Sequence, residues 1–161
     1  MRERPFDVRP ARDEDRVPLA RLFAAVAEER HGIAAEPPVD VDQHAAGFDL
    51  EATIVAVADD EVIGGIWIDG PYFGFGEIGM LVARYWRGRG VGSTLVAASI
   101  HWARDRGLHK LSLSVFPENE AALAVYRKFG FEAEGHRRKQ IRRANGELWD
   151  LIDMGLLLTE E

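Results

Sequence analysis

Apolar residues along this 161-residue chain change their spacing from one stretch to the next, and the changes mark out elements. Val17, Leu19, Leu22, Phe23 and Val26 recur at helical intervals behind a short strand at Phe6 to Arg9. Pro37-Pro38 breaks the chain, and a weaker helix over Asp40 to Leu50 is interrupted by Gly47. Thr53 to Ala58 is β-branched and apolar, and Asp59-Asp60 turns it into Val62 to Ile68, so the two form a hairpin. Gly70-Pro71 precedes a further strand over Gly74 to Val82. Beyond residue 90 the helical period returns through Val91, Leu95, Ile100 and Trp102 and ends near Gly107. Leu111, Leu113 and Val115 alternate with Ser112 and Ser114, which reads as a strand that Pro117 stops. Asn119 to Phe129 is helical and Gly130 suits its C-terminus. Phe131 to Arg143 and Leu148 to Leu158 flank Asn145-Gly146, the strongest two-residue hairpin signal. The order β, α, α, β, β, β, α, β, α, β, β predicts one α/β domain over residues 1–161 with a mixed sheet.

Composition narrows the function. Twenty Lys and Arg stand against 27 Asp and Glu, a net charge of −7 that argues against general nucleic-acid binding. The absence of cysteine excludes disulfides, thiolate metal sites and a cysteine nucleophile, and fits a reducing cytoplasm. No apolar run reaches the ~18–20 residues of a membrane span, and the charged start Met1 to Pro5 does not read as a secretory signal. The five histidines show no metal-ligand spacing. The charge is divided: residues 1–80 hold 7 basic and 17 acidic side chains, residues 81–161 hold 13 and 10. An uneven solvated surface accounts for that division, and so does a protein with one half facing an anion and the other a cation.

The chemistry concentrates at Met80-Leu81-Val82 and the following Arg84 to Leu95. A strand ends, a basic glycine-rich turn follows and a helix begins. Gly88, Gly90 and Gly92 let backbone amides crowd a ligand, and the first helical turn adds unpaired N–H groups and the positive end of the helix dipole. The combination is a pyrophosphate cradle, with Arg84, Arg87 and Arg89 beside it. A P-loop requires Lys followed by Ser or Thr after its last glycine, and none is present. A dinucleotide fingerprint belongs in the first βα unit with an acid after the next strand; here four strands precede the turn and Pro117 intervenes before Glu118. Further on, Asn119 is a good N-cap, and Tyr126 lies on the same helical face two turns later, where a core aromatic would also sit.

At these residues the chain resembles a family. Arg87, Gly90 and Gly92 match the GNAT N-acetyltransferase signature: Gln or Arg, two free positions, Gly, one free position, then Gly or Ala. Asn119, Ala122, Tyr126 and Gly130-Phe131 resemble its second hallmark, and the element order is similar across the chain. The resemblance implies a mostly antiparallel sheet of six to seven strands, splayed between the fourth and fifth, with about four helices. It implies acetyl-CoA as acyl donor. The pyrophosphate would lie on Arg87, Gly88, Arg89, Gly90, Val91, Gly92 and Ser93, the pantetheine arm along Leu81 and Val82 with Asn119 in contact with it, and Tyr126 near the sulfur. A thiolate leaving group needs a proton, and the role falls to Tyr126 as general acid. A backbone N–H near Leu81 or Val82 would meet the oxyanion. Glu77 is the candidate base, as readily an exposed strand carboxylate, with Glu28, Glu29 and His44 weaker. His101 reads as a surface or packing residue, and the basic run His136 to Arg143 as a solvated hairpin, a contact for an acidic acceptor, or a dimer contact. The expected partner is a small-molecule or peptide amine, with neither nucleic acid nor membrane, and a homodimer is plausible. A coenzyme-binding module without transfer is the competing reading.

Overall fold

Seven strands form one sheet in the order β1-β2-β3-β4-β5-β7-β6, in a computed structural model that describes residues 4–159. The hairpin of β2 (Thr53–Ala58) and β3 (Glu61–Asp69) turns at Asp59-Asp60, both with positive φ, as a tight two-residue turn requires. β1 (Asp7–Pro10) adds to β2, and β4 (Phe75–Val82) to β3, all antiparallel. β6 (Glu132–Arg142) and β7 (Leu148–Leu157) form the final hairpin, and β7 also pairs with β5 (Lys110–Val115). The junction of the two halves is parallel and short. β4 and β5 pair only over Phe75–Glu77 and Lys110–Ser112, and Ile78 to Val82 run on without a partner on that side. The splay therefore lies between the fourth and fifth strands, as expected.

Helices cover the sheet unequally. α3 (Val91–Asp105) and α4 (Glu120–Lys128) pack on one face, over Ala56, Ile66, Ile78, Leu111, Leu113 and Met154. α1 (Arg16–Glu28) packs on the other, where Leu19 and Val26 meet Val55 and Leu81. Gly65 lies beneath it, where a Cβ would stand 2.7 Å from a Leu19 methyl and force that side chain to shift. α2 (Val41–Ala46) is shorter than the Asp40 to Leu50 expectation. Gly47 ends it, and Asp49 caps a separate 3-10 turn at Leu50–Ala52. β6 also departs from simple alternation. Its register shifts between Arg137 and Ile141, around Lys139 with positive φ, so its charges do not sort cleanly by parity. No helix among the described residues is long and apolar enough to cross a membrane.

Candidate functional site

The glycine-rich turn lies where β4 ends, at the mouth of the opening. Arg84–Trp86 form a 3-10 turn, Gly88 and Gly90 have φ of +75° and +84°, and Gly90 caps α3 from the left-handed region. Nothing lies within 4 Å of where a Cβ at Gly88 or Gly90 would be, so the space beside the backbone is open. The first intrahelical bond is Thr94 N to Gly90 O at 3.0 Å, which leaves the amides of Val91, Gly92 and Ser93 without an intrahelical acceptor. Trp86 is buried and carries Arg89 on its ring at 5.2 Å. The turn thus offers an open backbone edge of free amides with an arginine beside it, and its donor set fits a pyrophosphate.

Arg87 is employed differently from Arg89. Its Nη1 and Nη2 donate to Glu29 at 2.6 and 2.8 Å, and its Nε donates to the Val82 carbonyl at 3.0 Å. The guanidinium therefore ties the turn to the end of α1 and to the end of β4. Glu29 is held below the usual carboxylate range, chiefly by that hydrogen bond from Arg87. Both carboxylate oxygens of Glu29 are thus engaged by Arg87.

Backbone direction at the opening distinguishes Val82 from Leu81. Ala83 N donates to Ile63 O of β3 at 2.8 Å, so by strand alternation Val82 turns its N–H toward the opening and Leu81 toward β3. The Leu81 side chain is buried under α1. Of the two, Val82 has the available amide.

Asn119 caps α4, its Oδ1 accepting from Ala122 N at 3.3 Å. The cap reading holds, and its side-chain NH2 is not spent in making it. Tyr126 is 6% exposed, with its ring edge-on to Phe131 at 5.7 Å. Burial pushes its phenol up to about 12, so it is protonated at neutral pH. Glu77 is exposed on β4, opposite Asp69 on β3 and Ser112 on β5. Its face is that of Gly79 and Leu81, which is the α1 face. His44 stacks on Phe23 at 3.9 Å and its Nε2 is buried without a partner among the described residues. Burial lowers its pKa, so it packs as a neutral ring. Glu28 and His101 are exposed, and His101 pairs with Asp105 at 3.4 Å. No cluster of metal-binding side chains occurs among the described residues.

The basic run His136 to Arg143 is three different things. His136 Nε2 meets Asp150 at 2.8 Å and Arg137 Nε donates to Asp153 at 2.6 Å. Arg143, against the expectation of a solvated run, is 3% exposed. Its guanidinium donates to the carbonyls of Ala34 at 2.9 Å and Arg30 at 3.1 Å, and stacks on Trp149 at 4.1 Å. The β6–β7 hairpin is thereby bolted to the segment between α1 and α2. Arg143 was not separable from its neighbours by sequence, because its acceptors are backbone carbonyls more than a hundred residues away.

A family model described as the Acetyltransferase (GNAT) family matches residues 18–131. The chain belongs to the GNAT acetyltransferase family. Among GNAT relatives it is 32% identical over 129 residues to the mycothiol acetyltransferase of Paenarthrobacter aurescens, covering 76% of this chain and 40% of that one. It is 35% identical over 109 residues to the L-amino acid N-acetyltransferase AaaT of Escherichia coli, covering 63% of this chain and 65% of that one. The chain thus spans less than two thirds of either GNAT relative. A phosphinothricin acetyltransferase of the GNAT superfamily from Sinorhizobium meliloti, solved in complex with acetyl-CoA, superposes with a TM-score of 0.87 at 19% identity, covering 96% of this chain and 89% of that one. The seven-stranded sheet open between β4 and β5 is the GNAT fold.

Proposed function

We propose that the protein transfers an acetyl group from acetyl-CoA to the primary amine of a small molecule or peptide by direct attack. The observation that carries this reading is the interrupted pairing of β4 and β5 beside the glycine-rich helix start. The family membership and the acetyl-CoA named with the Sinorhizobium meliloti structure support it. The amides of Gly88 to Ser93, with Arg89 nearby, hold the pyrophosphate, and Arg87 shapes the turn from behind. The free edge of β4 from Ile78 to Val82 pairs with the pantetheine arm as an added strand would, with Leu81 anchoring that strand end in the core. Asn119 contributes its remaining side-chain donors at the start of α4.

Three groups serve the chemistry. Glu77, directly or through water, takes the proton that the amine must lose as its nitrogen bonds the acetyl carbon. The Val82 N–H meets the charge that develops on the carbonyl oxygen. Tyr126, protonated at neutral pH, gives its proton to the sulfur as the carbon–sulfur bond breaks. No acyl-enzyme step is needed, and the chain has no cysteine to form one. The same reading places the protein in the cytoplasm, with its donor.

Calorimetry with acetyl-CoA and a thiol-release assay over an amine panel test the reading. Tight binding of acetyl-CoA with turnover of at least one amine is expected. Binding with no turnover across the panel would make the chain a coenzyme-binding module. No binding at all would overturn both.

A further inference from the structure

The α1 face of the sheet changes character at the opening. Over β2, β3 and β4 it is apolar and lies under α1, with Val55, Trp67 and Leu81. Beyond the opening the same face passes to β5, β7 and β6, where register and alternation put Ser112, Ser114, Asp153 and Gly155 together. Ser112 and Asp153 are half-buried, and Ser114 and Arg137 are exposed. This part of the sheet is a polar floor, and Glu77 closes it from the β4 side.

One cation on that floor has a free edge. Asp153 accepts from Ser114 Oγ through Oδ1 at 2.8 Å and from Arg137 Nε through Oδ2 at 2.6 Å. Gly135 lies opposite Asp153, where a Cβ would stand in ordinary contact with Oδ2 at 3.6 Å. Bonding through Nε fixes the guanidinium plane and leaves Nη1 and Nη2, the pair whose spacing matches a carboxylate. Arg137 remains 53% exposed. Lys110, on the same face of β5, is paired with Glu134 at 2.8 Å. Asp153 sits on β7, about 5 Å beyond β5, which borders the opening, and Arg137 reaches back to it from β6, the next strand out.

We propose that Arg137, oriented by Asp153 and Ser114, anchors a carboxylate of the acceptor, which is therefore an amino acid with its amine over the opening on the side of Glu77. The inference rests on the acetyl-transfer reading above and names the substrate class of that site. Asp153 is a positioning residue, and Arg137 is the group that touches the substrate.

The test compares L-alanine, L-methionine, L-phenylalanine and β-alanine with their carboxamides, which keep the amine and lose the anion. Thiol release measures kcat/KM, and calorimetry measures binding to the protein loaded with coenzyme A. At least one acid should exceed its carboxamide tenfold or more in both measurements. Arg137→Gln, a change at an exposed position, should erase that difference while acetyl-CoA affinity and Tm stay put. Asp153→Asn should reduce the difference with Arg137 still present. Carboxamides equal to acids in the unaltered protein, or a preference that survives Arg137→Gln, would overturn the anchor and leave acetyl transfer standing. Absence of turnover would overturn the transfer reading instead, and the calorimetric comparison would still decide whether the carboxylate is bound at Arg137.

Discussion

Arg87 grips Glu29 with both terminal nitrogens, at 2.6 and 2.8 Å, and so joins the turn after β4 to the end of α1. The same guanidinium holds the Val82 carbonyl through Nε. Its work is geometric: it fixes the turn relative to β4. Arg87→Lys keeps the charge and loses the fork, and should raise the acetyl-CoA Kd by about three- to tenfold, close to the effect of Arg87→Ala. Calorimetry reads the difference. The pair is partly exposed, so the stability loss from Glu29→Gln should stay under ~1 kcal/mol.

Gly90 stands at φ +84° with open space where a Cβ would be. Gly90→Ala therefore costs conformational strain without a clash, roughly 1–2 kcal/mol in urea denaturation. Gly90→Asp adds a negative charge at the mouth of the cradle. It should weaken acetyl-CoA binding at least tenfold beyond the alanine variant, and the excess should shrink at high salt.

Tyr126 at about 12 stays protonated throughout the workable pH range. Tyr126→Phe keeps the ring against Phe131, so folding should be preserved while kcat falls about a hundredfold or more. Acetyl-CoA affinity should change less than twofold. The alkaline limb of the kcat profile should not report Tyr126 below about pH 10, and a limb at lower pH that vanishes in Tyr126→Phe would contradict the assignment.

Arg143 is buried and its acceptors are the carbonyls of Arg30 and Ala34. Arg143→Ala leaves those carbonyls unsatisfied and empties the space on Trp149, a loss on the order of 3 kcal/mol. Hydrogen exchange should speed up across residues 30–36, and the acceptor KM should rise more than the acetyl-CoA KM.

His44 is neutral in the fold because burial lowers its pKa, whereas the unfolded chain titrates near 6.5. Below that value the unfolded state binds a proton that the native state refuses. The stability contributed by neutral His44 is complete above about pH 6.5 and is lost as pH falls. Thermal melts from pH 7.5 to 5 should show a steeper decline for the unaltered protein than for His44→Phe.

The parts of the site legible in the sequence are those built from neighbours. Strand, turn and helix start lie within Met80 to Leu95, so glycine spacing alone indicated their geometry. Asn119 and Tyr126 share one short helix, and periodicity put them on one face. The proposed acceptor side is assembled from distant segments. Ser114, Arg137 and Asp153 come from three strands, and a serine on an alternating strand looks like any solvent-facing residue. Arg143 sat in a basic run whose charge concealed its burial, and the bulge after Arg137 spoiled the alternation that would have sorted the run. Glu29 and Arg87 each looked available because neither sequence neighbourhood contains the other.

The opening between β4 and β5 leaves a strand edge inside the molecule, where most proteins tolerate none. A pantetheine arm, with its two amides, can finish that edge as a missing strand would. On the proposed function the donor would be a structural component as well as a reagent, and binding at a hundred times its Kd would add about 2.7 kcal/mol to the fold. A cell poor in acetyl-CoA would hold this protein closer to unfolding. Its abundance, and not only its turnover, would follow the supply of its proposed donor.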